Sequence, residues 1–350
     1  MDRSSTKPPR RTSKGPPTLR TLAGLTGLGV TTVSRALKDG PELSHETKAR
    51  VRAVADEIGY RPHRAGVRLK TGRTFVISFV LNQADDMSDY AKRLIMGISE
   101  ALRGTQYHLQ VLPQNIDQDP IDPVRYIVDT AAADGLILTH SEPQDLRVKM
   151  LLERDFPFIT FGRTELATPH PYIDTDNFDF AYRAAQALIA RGRKRIVIVL
   201  PPKQFTYSGH QQAGYRRALF EAGLEPRIAE GVNLYSPAFT LRDYANRLAR
   251  ETSAPDGIIC GSEMQALGMM LGFQDAGFVI GRDVDIVNKK TSNILDLVQM
   301  PTLQFFEDLV RAGHDCAEFL LKRIEGREPV SALQRLDLTS FTEGSAQPAG

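Results

Sequence analysis

Cysteine is almost missing from this sequence: its 350 residues include only Cys260 and Cys316. Two thiols cannot make a disulfide framework or a cysteine-built zinc site, and their scarcity points to a reducing compartment. Long apolar runs are missing too. No stretch approaches the roughly 18–20 residues that a membrane helix needs. The first sixteen residues lack the apolar segment of a secretory leader, so a cytoplasmic protein is expected. The seven His show no metal spacing, neither Cys sits in a recognisable motif, and no phosphate loop is present. A nucleophile–base pair or carboxylate dyad on a shared site is not legible either. The reading is therefore of no enzyme, no cofactor and no metal.

What remains is ordinary in bulk and uneven in distribution. Apolar residues at 41% and charged residues at 25% describe a soluble globular chain. Its length implies two or three domains of roughly 100–200 residues. Residues 1–73 hold 16 Lys and Arg against 6 Asp and Glu, a surplus of ten positive charges. The remaining 277 residues hold 28 against 36, a surplus of eight negative charges. A cationic module on a mildly acidic body is the electrostatic footprint of a nucleic-acid binder, since phosphate contacts release condensed counterions. A solvated basic tail has the same charge signature.

The segment from Thr18 to Asp39 tips the balance towards the first. Leu19, Leu22, Ala23 and Leu25 give one short helix an apolar face. Gly27 stands at a turn, where a positive φ is wanted. Val30, Val33, Ala36 and Leu37 line a second helix, which Asp39-Gly40-Pro41 ends. Thr31, Thr32, Ser34 and Arg35 fall on its outer side, suited to phosphates and base edges. A third helix follows, with Ser44 as N-cap, Val51, Val54, Ala55 and Ile58 as its stripe, and Gly59 at its end. A dinucleotide-binding reading of "GLTGLG" fails, because no strand precedes it and the third Gly is missing. Three helices in this pattern make either a DNA reader or a small structural bundle.

From Thr74 onward, short apolar runs alternate with helical stretches. "FVISFVL", "YHLQVL", "GLILTH", "FPFITFGR", "RIVIVLP", "GIIC" and "VDIVN" read as strands, with another near Val232. Helices are expected over Tyr90 to Arg103, from about Phe178, around Ala213–Ala222, near Leu241–Arg250 and from about Met264. This alternation means parallel βαβ units, and two series of them fit two lobes of a doubly wound fold. Ligands of such folds sit at the carboxyl ends of strands. The physical candidates there are Asn82 and Gln83, Arg163, and Glu263 after "GIICGS". Arg163 has a second reading, an ion pair with Asp174 or Asp176.

"TLAGLTGLGVTTVSRAL", "IGYRPHRAGVRL" and the body motifs together resemble the lactose-repressor/galactose-repressor family of bacterial transcription regulators, from Thr18 to about Phe341. The resemblance implies an N-terminal all-α helix-turn-helix headpiece joined to an α/β two-lobed domain like the periplasmic sugar-binding proteins, with doubly wound parallel sheets. It divides the chain into a basic tail (1–17), the DNA-binding domain (18–61), a hinge helix or linker (62–73), an effector-binding and dimerisation body (74–341) and a C-terminal tail (342–350). It implies that Val30, Thr31 and Arg35 read bases in the major groove. It also implies that Leu69 wedges into a minor-groove step, flanked by Arg64, Arg68 and Lys70; Leu69 also reads as a linker residue resting on the body. With Thr18, Thr32, Ser34, Tyr60, His63 and Gly66, these residues form the expected DNA-contacting set. Gly29 stands where the family has a capping Ser, His63 where it has Asn, and Gly66 where it has Ala.

In the body, the resemblance maps a ligand-gripping Arg onto Gln211 in "HQQAGY" and an acidic ligand contact onto Lys290 in "VNKKTS", with Tyr235 as an aromatic wall. Lys290 also reads as a solvated charge, and the neighbouring Lys289 is read as a solvated loop charge. Arg163 and Lys290 near one site would welcome a carboxylate or phosphate. The implied function is a DNA-binding regulator, a repressor, working as a homodimer on a palindromic operator under a small carbohydrate effector. A cytosolic ligand-binding protein without a regulatory role is the alternative, and a nonspecific architectural DNA binder is a further one.

Overall fold

The structure, a computed structural model, describes residues 16–61, 66, 68, 71–82, 89–114, 119–299 and 301–343. Two units separate, Met1–Thr74 and Phe75–Gly350.

The first unit holds α1 (Leu19–Thr26), α2 (Val30–Ala36) and α3 (His45–Glu57). Thr18 opens α1 through a reciprocal capping box with Thr21, each hydroxyl accepting the other's backbone N–H at 3.2 Å. Gly27 ends α1 at φ +67°, in the left-handed region a side chain would resist. Gly29 caps α2 without a side-chain bond, as expected from the absent Ser. Ser44 caps α3 by accepting from Thr47 N at 3.2 Å. Leu22, Ala23, Val33, Ala36, Val51, Ala55 and Tyr60 form the core. Arg50 Nη2 donates to the Thr26 carbonyl at 2.6 Å, pinning α3 to the end of α1. Leu25, expected on the apolar face, is instead 59% exposed.

The second unit is two α/β lobes. In the first lobe, β1 (Val76–Asn82), β2 (His108–Gln114), β3 (Gly135–Leu138), β4 (Phe158–Phe161), β5 (Tyr172–Thr175) and β11 (Gln334–Asp337) form a sheet of order β11-β5-β4-β3-β1-β2. Every pairing in it is parallel. The helices α4 (Asp89–Ala101), α5 (Ile121–Thr130), α6 (Leu146–Glu153) and α12 (Leu309–Glu325) cover it. Strand residues alternate between two cores, as period-2 side chains must. Ile77, Phe79 and Ile137 join the core under α4 and α12. Val80, Leu136 and Leu138 join the one under α5 and α6.

The second lobe repeats this plan. Its sheet, of order β12-β10-β9-β8-β6-β7, contains β6 (Ile196–Val199), β7 (Arg227–Ile228), β8 (Gly257–Cys260), β9 (Asp285–Lys290), β10 (Leu303–Phe306) and β12 (Ser340–Glu343). Only β10–β12 is antiparallel. Helices α7 (Asn177–Ala190) and α8 (Thr206–Glu221) lie on one face, and α9 (Ala238–Ala249) and α10 (Glu263–Asp275) on the other, with a short α11 (Ile294–Leu297).

The chain crosses between lobes three times, after β5, after β10 and after β11. β5, β10, β11, β12 and α12 had not been expected from the sequence, and the strand placed near Val232 is the two-residue β7 instead. Val232 is buried without being in a strand: its apolar side chain packs against the α9–α10 core from a loop.

Candidate functional site

The first unit presents one face of α2. Val33 and Ala36 point into the core, leaving Val30 43% exposed and Thr31 exposed, with Thr32 and Ser34 half-buried. The Arg35 side chain is 60% exposed and lies 3.3 Å from Glu42 Oε1. A helix face that carries hydroxyls and Arg35 beside Val30 suits phosphates and base edges.

The second unit contains a cavity of about 680 Å³ between its lobes. It opens at the carboxyl ends of strands in both sheets: Phe161, Thr175 and His140 from the first lobe, Gly261, Lys289 and Glu307 from the second. Rings supply much of its wall. His140 lies edge-on to Phe205 and Tyr207, with centroids 5.2 and 6.4 Å away, and 5.8 Å from Tyr235. The Tyr207 and Tyr235 hydroxyls meet at 2.8 Å. Tyr90 packs on both Phe161 and His140. His140 holds a φ of +57°, uncommon for a residue with a side chain, where the chain turns off β3. Its Nδ1 is 2.8 Å from Thr139 Oγ1.

The polar floor joins two of the interlobe crossovers. Asn177 Oδ1 accepts from both Gln211 Nε2 and Lys289 Nζ, each at 2.9 Å. Lys289 Nζ is also 3.4 Å from Glu307 Oε2, and the Thr175 hydroxyl donates to Glu307 Oε1. Asn177 and Thr175 flank the first crossover, and Glu307 begins the second. Asp174 lines the cavity with Arg163 Nε 3.5 Å from its Oδ2. Burial pushes its carboxyl up to about 7, against the pull of Arg163 and Lys289. Across the lobes, the Ser141 carbonyl accepts from Thr206 N at 2.9 Å and Thr206 Oγ1 at 3.1 Å. Arg163 Nη2 lies 3.5 Å from His210 Nδ1, whose pKa is lowered by burial and then by Arg163.

Comparison with known proteins gives this geometry a context. The family "Bacterial regulatory proteins, lacI family" matches residues 18–63, and "Periplasmic binding proteins and sugar binding domain of LacI family" matches residues 74–322. The HTH-type transcriptional regulator AglR of Rhizobium meliloti (strain 1021) is 32% identical over 347 residues, covering 95% of each chain. The chain belongs to the lacI family of bacterial regulatory proteins. Two solved structures share the fold. The lac repressor dimer bound to operator and the anti-inducer ONPF has a TM-score of 0.79 at 18% identity, over 94% of this chain and 98% of that one. The CelR–cellobiose complex has a TM-score of 0.65 at 24% identity, over 94% of this chain and 100% of that one.

This lacI-family protein is thus a DNA-binding transcriptional regulator with a helix-turn-helix headpiece and a periplasmic-binding-protein-like body. Among the described residues, no helix is long and apolar enough to cross a membrane. The expected site residues fall into distinct groups. Gln211 and Tyr235 line the cavity. Arg163 stands behind it on Asp174, the first of the two ion-pair partners read for it from sequence.

Glu263 and Lys290 are outside the lining, and the structure corrects both. The Glu263 carboxylate accepts the backbone N–H and hydroxyl of both Thr291 and Ser292, so it anchors the loop after β9. Lys290 Nζ is held by Asp296 at 2.7 Å. In a strand, neighbours point to opposite sides, and it is Lys289 that faces the cavity. Lys289 is 6% exposed, which overturns its reading as a solvated loop charge. Asn82 closes β1, while Gln83, His63, Arg64 and Leu69 lie outside the described residues.

In the headpiece, Tyr60 packs into the core, 6% exposed, with its phenol pKa raised by burial. Thr18 is the α1 cap. Gly66 is helical and exposed. Residues that sequence reasoning missed are His140, Tyr90, Tyr207, Asn177, Lys289 and Glu307. His140 and Glu307 follow β3 and β10, so the strand-end rule used for Arg163 could have found them.

Proposed function

We propose that this regulator binds a palindromic operator as a homodimer in the cytoplasm, acting as a repressor rather than an enzyme. A small polyhydroxylated ligand, a sugar or sugar derivative, sets its operator affinity from the interlobe cavity. The observation that carries the ligand reading is the cavity's composition: aromatic walls over a hydrogen-bonded polar floor, within the roughly 300–1,000 Å³ of small-molecule sites. Aromatic faces cover the apolar faces of a sugar ring, and fixed donors and acceptors sort its hydroxyls. The CelR structure with cellobiose supports the same ligand class.

On the DNA side, Val30, Thr31 and Arg35 read bases, while Thr18, Thr32, Ser34 and Gly66, with His63, Arg64 and Leu69 of the linker, make the surrounding contacts. Because floor residues sit on the crossovers, a ligand that binds one lobe arrangement better shifts the lobes. Linkage then changes operator affinity by the same factor that DNA changes ligand affinity.

Selection of DNA from a random pool with the full-length protein, followed by gel shifts with and without sugars found by thermal-shift screening, tests this reading. A symmetric site whose affinity moves with a sugar supports it. Absence of any preferred symmetric site, with or without the sugars, refutes it. A binder of sugars that ignores every DNA would be the ligand-binding protein without a regulatory role.

A further inference from the structure

Among the described residues, three cations at or behind the cavity lie beside carboxyl groups: Lys289 by Glu307, Lys290 by Asp296, and Arg163 by Asp174. Of these cations, only Lys289 lines the cavity, and its ion pair lies at the floor with side chains 8% and 10% exposed. We infer that the ligand of this cavity is electrically neutral, and that the Lys289–Glu307 pair is what enforces this. The inference rests on the cavity being the ligand site proposed above.

The argument is one of valence and desolvation. An ammonium has three donors; Asn177 Oδ1 takes one and Glu307 another, which leaves one for a ligand acceptor. The Glu307 carboxylate accepts from Thr175 and Lys289 and keeps lone pairs for a ligand donor. A sugar hydroxyl is both donor and acceptor, so it can bridge such a pair without disturbing its charge balance. A phosphate or carboxylate brings only acceptors and a negative charge. It would have to share Lys289 with Glu307 while lying close to that carboxylate, at a floor where both side chains are nearly buried and screening is weak. A cationic ligand meets Lys289 in the same way. The Lys-rich "VNKKTS" therefore does not make an anion site, because each of its two lysines is already neutralised by a partner.

Calorimetric titration of the full-length protein tests this with named probes: maltose, cellobiose and raffinose, glucose and its 6-phosphate, and gluconate. The wild type is expected to bind at least one neutral sugar and to bind glucose at least 100-fold tighter than its 6-phosphate, or neither of those two. Glu307→Gln should weaken the neutral sugar at least 10-fold and improve 6-phosphate or gluconate binding relative to it, because it frees the Lys289 charge. Lys289→Met should weaken the neutral sugar without admitting either anion. The double variant Lys289→Met/Glu307→Gln carries no buried unpaired charge and should again exclude the anions. This keeps the test decisive if a single variant fails to fold. Wild-type protein that prefers an anionic probe overturns the inference and leaves the cavity reading intact, as does Glu307→Gln that changes neutral and anionic probes by the same factor. If no probe binds, the cavity reading falls and this inference with it.

Discussion

Replacing Leu22 by Ala removes the side chain at the centre of the headpiece core. Leu22 is fully buried, among Val33, Ala36, Val51, Ala55 and Tyr60, so it meets both other helices. A Leu→Ala change at such a site costs about 2–5 kcal/mol, through lost transfer energy and the cavity left behind. The described residues 16–61 make a very small domain. At ~0.05–0.15 kcal/mol per residue, such a unit has only about 2–7 kcal/mol of stability, so the substitution takes most or all of it. The body has its own separate cores and should not respond. Differential scanning calorimetry of the full chain, with helicity followed by circular dichroism, reads both units. The headpiece transition is expected to fall by at least about 10 °C or disappear, while the body transition stays within error. Operator affinity should fall with the headpiece. A variant whose headpiece melts like the wild type would refute the core assignment. A body transition that moves by a similar amount would refute the independence of the two units.

Three further outcomes follow from the same structure. Arg35→Ala should cost roughly 1–3 kcal/mol in operator binding and relax selection at one base pair, as measured on a set of single-base operator variants. Its exposed pairing with Glu42 contributes little to folding, about 0–1 kcal/mol, so the melting profile should not change. Equal weakening on every sequence would mean that Arg35 touches only phosphate. Gly97→Ala would drive a methyl group into the Val310 carbonyl where α4 packs on α12, and a loss of about 1–3 kcal/mol or more is expected in urea unfolding. Asp174→Asn tests the buried carboxyl, whose pKa is raised from 3.8 to about 7 on folding. The folded protein holds a proton there that the unfolded chain releases, so this group's contribution to stability is present below pH 3.8 and lost as pH rises through 7. The thermal midpoint of the Asn variant should therefore gain on the wild type between pH 5 and pH 8; a difference independent of pH would contradict the raised pKa.

Local pattern was enough to read the headpiece. Gly27, Ser44, Gly59 and the spacing of Leu22, Val33 and Val51 specify turn, caps and core, because helix periodicity and left-handed glycine are properties of short segments. The burial of Tyr60 was less legible: how far an aromatic ring just beyond a helix turns into the core depends on the packing of three helices. The two parallel sheets were legible from apolar runs of four to seven residues. The four-residue β5, β10, β11 and β12 were not, since their partners supply the pattern that their own sequences lack.

The cavity shows the same division more sharply. A sequence can say that side chains after strands in a doubly wound fold face a cleft, and this found Arg163 near the site and leads to His140 and Glu307. It could not say which of two adjacent lysines points inward, because a one-residue change of register exchanges the two faces of a strand. Nor could it say that Lys289 and Glu307, Asn177 and Gln211, or Thr206 and Ser141 are partners. By itself, then, the amino-acid order determined the helix-turn-helix, the cationic headpiece and the two-lobed plan. Tertiary structure alone decided the charge of the cavity. Ion pairing acts through space, and these charges are brought together only where separate crossovers of the chain meet.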